Sequence, residues 1–138
     1  MLYLEIVTPE GIAWKSSEVE SVTLPTRSGE IQILKGHIPI VTIIEAGEIQ
    51  VVRGGKQESL AVDKGYARCV SDTVSVLTEA AIEVDNIDLE SVEEAKARAV
   101  ASLEKYKSLR ESDPEEIERL ESTIRFAIAQ QLSKNRKR

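Results

Sequence analysis

Residues 73–95 read TVSVLTEAAIEVDNIDLESVEEA, and within this stretch the chain changes its hydrophobic period. Up to about Asn86 apolar side chains alternate, as at Val74 and Val76 here and at Leu2, Leu4 and Ile6 near the N-terminus. Beyond Asp88 they recur every three or four residues, at Leu89, Val92, Ala95, Ala99, Leu103 and Tyr106. Period two suits strands with one buried face, and a period of about 3.6 suits amphipathic helices. Charge changes at the same joint. Residues 1–87 hold 13 acidic and 7 basic side chains, a net of −6, whereas residues 88–138 hold 11 of each. The pattern predicts an α+β chain, with a β module over 1–85 and a helical module over 86–138.

Toward the N-terminus, strand-like segments lie close together: Tyr3–Val7, Val19–Leu24, Glu30–Ile33, His37–Ile43, Glu48–Val52, Glu58–Val62, Tyr66–Val70 and Val74–Leu77. Turn residues separate them, and spacing of this kind predicts an antiparallel β sandwich of about 8–10 strands. Gly54-Gly55 supplies positive φ at both centres of a tight hairpin. No connection is long enough for a crossover helix, so antiparallel order is expected throughout. Pro25 and Pro39 are expected at strand ends, where a missing N–H costs no ladder bond.

Toward the C-terminus, Asp88 is placed to cap a first helix running to about Arg110. Residues 111–116 form a turn and restart, in which Asp113 caps, Pro114 takes the first helical position and Glu116 completes a capping box. The second helix carries Ile117, Leu120, Ile124, Ile128 and Leu132 on one stripe. A short loop between amphipathic helices gives an antiparallel α-helical hairpin, with Ala95, Ala97, Ala99 and Ala101 allowing close approach.

Composition excludes several classes. No run approaches the ~20 apolar residues of a membrane span, and the opening MLYLEIVTPEG has neither a basic n-region nor an apolar h-region, so a cytoplasmic chain is expected. Cys69 is expected as a buried small hydrophobe, because the only histidine, His37, is the one base a reactive thiol could recruit. A net charge of −6 opposes general nucleic-acid affinity. No metal-ligand set, phosphate loop or catalytic triad is legible, so no enzyme activity and no cofactor are expected.

The segment Leu24-Pro-Thr-Arg-Ser-Gly-Glu-Ile-Gln-Ile-Leu-Lys-Gly-His-Ile-Pro39 resembles the signature of the epsilon subunits of bacterial and chloroplast F-type ATP synthases. That family shows a Pro, a short turn, Gly-Glu, an Ile-Leu pair, Gly-His and Pro. Val7-Thr-Pro-Glu-Gly11, Glu18-Val19, Val22, Ala46-Gly47 and Gly65-Tyr66-Ala67 are similar to the same family, as is the architecture over the whole chain. The resemblance implies a central-stalk (rotor) subunit that couples gamma to the c-subunit ring in proton-driven ATP synthesis. It also implies that the C-terminal helices restrain ATP hydrolysis. The expected place is the cytoplasmic face of a bacterial inner membrane, or the stromal side of a thylakoid, peripheral through the complex.

On this resemblance Glu30 faces the c ring, and His37 lies near gamma and the ring. Read as residues alone, Glu30 is a solvated loop carboxylate and His37 a turn residue. The family's ATP-binding segment, Ile/Leu-Asp-x-x-Arg-Ala, is matched only by Ile87-Asp88, because Ser91-Val92 stand where Arg and Ala are expected. Glu83, Asp88 and Arg98 remain as weak nucleotide-binding candidates, and Asp88 is equally a plain helix cap. Residues 119–138 carry six basic side chains and one acidic one, a net of +5. Part of that complements the helix dipole. The resemblance supplies an acidic partner, the beta (and alpha) subunits, for Arg119, Arg125, Lys134, Arg136, Lys137 and Arg138. Two rivals stand beside this reading. One is a nucleotide-sensing module that clamps ATP between sandwich and hairpin. The other is a nucleic-acid or membrane adaptor using the basic tail, which lacks a broad basic face or aromatic platform.

Overall fold

The computed structural model describes residues 1–108 and 113–136. Among them ten strands follow in chain order: β1 (Leu2–Thr8), β2 (Gly11–Val19), β3 (Ser21–Thr26), β4 (Gly29–Leu34), β5 (Ile40–Ile44), β6 (Gly47–Arg53), β7 (Lys56–Val62), β8 (Gly65–Val70), β9 (Thr73–Thr78) and β10 (Ala81–Glu83). A 3-10 turn at Val84–Asn86 leads to α1 (Leu89–Ser108) and α2 (Pro114–Arg136). The β-then-α order is the predicted one.

The strands form one hydrogen-bonded series, β10-β7-β6-β3-β5-β8-β9-β1-β2, with β4 added to β3. The series wraps around one core because its inward residues alternate as the period-two pattern requires. Leu2, Leu4 and Ile6 enter from β1, Val74 and Val76 from β9, and Ile49 and Val51 from β6. Cys69 joins them, 1% exposed. Burial pushes its thiol pKa up, and the Asp72 carboxylate adds to the effect. Gly54 and Gly55 adopt φ of +60° and +74° and close the β6–β7 hairpin at the Arg53–Lys56 pair.

Strand direction departs from expectation at one place. β1 and β9 pair in parallel, from Tyr3–Thr73 to Val7–Leu77. The two strands are not consecutive, so residues 9–72 themselves serve as the crossover. β2 has no counterpart among the predicted strands. Only Trp14 and Val19 of its nine residues are buried, and bulges in its pairing with β1 break the alternation. The expected strand at 37–43 begins only at Ile40, and Pro25 lies inside β3 opposite Glu30 rather than at its end.

Both helix starts follow their cap residues. Asp88 Oδ1 accepts the Glu90 N–H at 3.1 Å and Oδ2 accepts the Ser91 hydroxyl at 2.9 Å. Asp113 Oδ1 accepts the Glu115 N–H at 3.1 Å. Glu116 does not act as a capping-box residue, because its carboxylate is taken by Arg119. The expected end of the first helix at Arg110, and the start of the 111–116 turn, lie outside the described residues.

α2 packs on β6, β7 and the 3-10 turn, while α1 packs on α2. A second apolar cluster of Ala61, Val84, Ile87, Val92 and Ala127, flanked by Ile82, Leu89 and Phe126, seals this seam. It explains why Leu60, Ala61 and Val62 are all buried in succession: β7 is covered on both faces. The hairpin is therefore folded onto the sandwich rather than standing apart. Its buried residues fall on two roughly opposite faces, Leu120 with Ala127 and Ala129 with Ser133, because α2 lies between the sandwich and α1, so the single stripe predicted for α2 is replaced by two. Ile128 and Leu132 stay 42% and 66% exposed. On α1 only Ala99 of the four alanines is buried, and Ala97 and Ala101 face solvent. Of the predicted stripe only Leu120 is buried, and the other close approaches on α2 are made by small residues, Ala127, Ala129 and Ser133.

Candidate partner-binding surfaces

Across five strands that α2 does not pack on, one outward row is apolar. Ile43 of β5 pairs with Tyr66 of β8, Tyr66 with Leu77 of β9, Leu77 with Val7 of β1, and Val7 with Ile12 of β2. Ile43, Tyr66, Leu77 and Ile12 are 41%, 62%, 53% and 54% exposed. The adjacent row, Val41, Arg68, Ser75, Glu5 and Lys15, is mixed and mostly polar. A solvated face alternates apolar-in with polar-out, so five aligned apolar residues on the outside form a surface suited to a protein partner. The sequence reading passed over this row. Its signal was present in β5, whose Ile-Val-Thr-Ile-Ile carries apolar residues on both faces.

Glu30 lies near the start of β4 and His37 in the turn beyond its end, where the His37 N–H donates to the Leu34 carbonyl at 3.0 Å, and the strand from Glu30 to Leu34 spans about 13 Å at ~3.3 Å per residue. Glu30 is exposed beside the β3–β4 turn, where Thr26 Oγ1 donates to the Gly29 carbonyl at 2.5 Å and Arg27 pairs with Glu45 at 3.2 Å. His37 is half-buried in the loop before β5, with Nδ1 2.7 Å from the Ile38 carbonyl oxygen. The Gly36 N–H donates to Asp72 Oδ1 at 2.8 Å, which pins this loop to the β8–β9 turn. Its tip, Ile38, is 74% exposed.

The three nucleotide candidates do not converge. A cleft of about 1140 Å³ opens between sandwich and hairpin, and of the three only Asp88 lines it. Glu83 accepts a hydrogen bond from Asn86, and Arg98 is exposed on α1. The cleft is lined by six carboxylates (Glu10, Asp63, Glu79, Asp88, Glu115 and Glu118) and two cations, Lys64 and Arg119, a formal net of −4. Lys64 is paired with Glu118 at 2.8 Å and Arg119 with Glu116, so both cations are already engaged by carboxylates. A polyphosphate placed here would meet net negative charge.

The basic strip of α2 is also largely engaged within the subunit. Arg125 donates from Nε to Asp63 Oδ1 at 2.6 Å, and Lys134 Nζ donates to the Val84 carbonyl at 3.2 Å. Arg136 is exposed beside the groove formed with Leu103, Ile128 and Leu132. Lys137 and Arg138 lie outside the described residues. Asp63 was not singled out in the sequence, since Val-Asp-Lys-Gly reads as an ordinary turn. It is nevertheless 1% exposed and meets Arg125, the Ser122 hydroxyl at 2.6 Å and the Lys64 N–H at 2.8 Å. Burial alone would raise its pKa, but the hydrogen bonds from Arg125, Ser122 and Lys64 outweigh it and hold the carboxyl below its ordinary range. Among the described residues no group of three or more His, Cys, Asp or Glu is arranged to hold a metal, and no helix is long and apolar enough to cross a membrane.

The β-sandwich model of the ATP synthase delta/epsilon chain family matches residues 1–84. The ATP synthase epsilon chain of Macrococcus caseolyticus is 38% identical over 108 residues, 78% of this chain and 79% of that one. The epsilon chain of Priestia megaterium is 37% identical over 103 residues, 75% and 76% of the two chains. Among solved structures, a chain of the Euglena gracilis mitochondrial ATP synthase (OSCP/F1/c-ring) superposes with a TM-score of 0.71 at 21% identity, covering 96% of this chain and 80% of that chain. A chain of the Tetrahymena thermophila central stalk and c ring gives 0.53 at 10% identity, over 62% and 68%. These two likenesses concern the fold. The family model over the sandwich, and relatives aligned over three quarters of the chain, place this protein in the ATP synthase epsilon chain family.

Proposed function

We propose that this chain is a non-catalytic central-stalk subunit of a rotary ATP synthase, docked on gamma and on the c ring and peripheral to the membrane through the complex. The observation that carries the proposal is the outward apolar row Ile43–Tyr66–Leu77–Val7–Ile12. It gives gamma an apolar surface on strands that the hairpin leaves uncovered. Glu30, at the far end of β4 from His37, is then the residue for the ring, while the His37–Ile38 loop meets gamma. Such a subunit has no bond to make or break. Its work is to transmit torque, which needs a rigid core and an interface that holds under load. The ten strands around a single apolar core supply the rigidity.

The hairpin carries the regulatory part of the proposal. Detached from the sandwich, α2 presents Arg119, Arg125, Lys134 and Arg136 to acidic surfaces of the beta and alpha subunits and opposes hydrolysis. Folded down, as in this structure, it engages Arg125 with Asp63 and Lys134 with the Val84 carbonyl, while Arg119 and Arg136 stay exposed. The nucleotide-sensing alternative is disfavoured by the acidic cleft and by Ser91, whose hydroxyl is committed to Asp88. Adding the purified chain back to an ATP synthase stripped of its epsilon subunit tests the proposal. Restored ion-driven ATP synthesis is expected, and a stripped complex that stays fully coupled without it contradicts the reading.

A further inference from the structure

Asp63 is a fully buried carboxylate at the seam between sandwich and hairpin, and all of its described side-chain partners across the seam come from α2. Arg125 donates to Oδ1 from Nε at 2.6 Å and to Oδ2 from Nη2 at 3.3 Å. Ser122 donates its hydroxyl to Oδ2 at 2.6 Å and accepts from Arg125 Nη2 at 2.9 Å. The sandwich side adds the Lys64 N–H and holds the turn through Thr78, whose hydroxyl donates to the Asp63 carbonyl at 2.7 Å. The carboxylate is thus satisfied from both sides of the seam, while the Arg125 side chain keeps about 32% of its surface exposed.

We infer that Asp63 is an internal latch, which holds α2 on the sandwich without any ligand and keeps Arg125 away from a carboxylate on another subunit. The inference rests on the regulatory reading above for its consequence, though not for its geometry. An ion pair with this burial cannot lose one partner cheaply, because the other would be left charged and unpaired. It can, however, part as a whole: when α2 lifts, both groups regain water together. The guanidinium then offers the same two-donor fork to an external carboxylate that it offered to Asp63. One arginine cannot serve both, so closure and external engagement exclude each other. Closure therefore depends on a residue of the sandwich rather than on a bound nucleotide.

Methyl NMR on the full-length chain tests this. Ala61 and Ala127 report the seam, while Val22 and Val76 report the sandwich core. In the unaltered chain, without nucleotide, the seam methyls should show packed shifts. Asp63→Asn retains an acceptor for the Lys64 N–H and removes the charge. It should move Ala61 and Ala127 to solvent-like shifts and leave Val22 and Val76 unmoved. Arg125→Gln should do the same from the other side. Should Asp63→Asn also disturb the core methyls, Arg125→Gln decides alone, since it leaves the β7–β8 turn intact. Seam shifts that stay packed in Arg125→Gln overturn the latch, as do seam shifts that are packed only when ATP is added to the unaltered chain. In the reassembled complex, Asp63→Asn should lower ATP hydrolysis by freeing Arg125. An open seam with unchanged hydrolysis supports the latch and removes the regulatory reading on which its consequence rests.

Discussion

Gly65 shows how one missing side chain holds a strand pair together. It opens β8 between Ile44 and Thr78, and a Cβ built on it would lie 1.8 Å from the Leu77 carbonyl oxygen. That oxygen belongs to the backbone of β9, so no rotamer relieves the clash, and either β8 or β9 must shift. Overpacking of this kind costs about 3 kcal/mol or more. Gly65→Ala should therefore lower the melting temperature by about 10 °C, taking ~3 °C per kcal/mol for a chain of this size. Differential scanning calorimetry checks it, and an unchanged melting temperature would mean that the β8–β9 approach is looser than it looks. Legibility at this scale followed chemistry that is local in sequence. Asp88 and Asp113 were readable as caps because a cap is made with the next two residues. Asp63 was not, because Ser122 and Arg125 lie 59 and 62 residues away.

Among the elements, the α2–β7 seam has its own pH signature. The Asp63 carboxyl is held below its ordinary value of 3.8, so the folded state favours the ionised form. Its contribution is fully present above that ordinary value and is lost as pH falls through the lower, folded value. The groups facing it are Arg125 and Ser122 from α2 and Lys64 from the β7–β8 turn, with Glu118 paired to Lys64 close by. The difference in stability between the unaltered chain and Asp63→Asn should thus stay constant from pH 8 to about pH 5 and shrink below pH 4. Urea unfolding across that range measures it, and a difference that vanished already at pH 6 would mean the carboxyl is not held low. Element boundaries were legible wherever one face alone is buried, as in β1, β6 and β9. They failed in β2, where bulges and a polar middle hide the period. On α2 one stripe was read where two faces are buried, one through Ala127 and one through Ala129, while Ile128 and Leu132 stay exposed. Residue size does not say which side of a helix meets its neighbour.

At the scale of the whole molecule, β-then-α order could be read from one change of period, while the meeting of the two parts could not. The main core draws all its buried residues, Leu2 to Val76, from the sandwich, so that unit closes without the helices. A fragment of residues 1–84 should therefore unfold cooperatively, at a somewhat lower temperature, because Ala61 and Val84 lose their cover. A fragment without a cooperative transition would make the hairpin part of the folding unit. The partner surface escaped the sequence reading for a related reason: outward apolar residues look like core until the register aligns them across five strands. That row also carries the central claim, that the sandwich docks on gamma through Ile43, Tyr66, Leu77, Val7 and Ile12. Tyr66 and Leu77 are adjacent and more than half exposed, so changing both to Glu removes apolar surface without entering the core. Two hot-spot residues at the centre of an interface are worth about 3 kcal/mol or more together, which is roughly 100-fold in affinity. The decisive measurement is the dissociation constant of Tyr66→Glu/Leu77→Glu for the gamma subunit, beside its melting temperature. The account predicts at least that loss of affinity with a melting temperature close to the unaltered chain's, and undiminished binding by a folded double variant would contradict it.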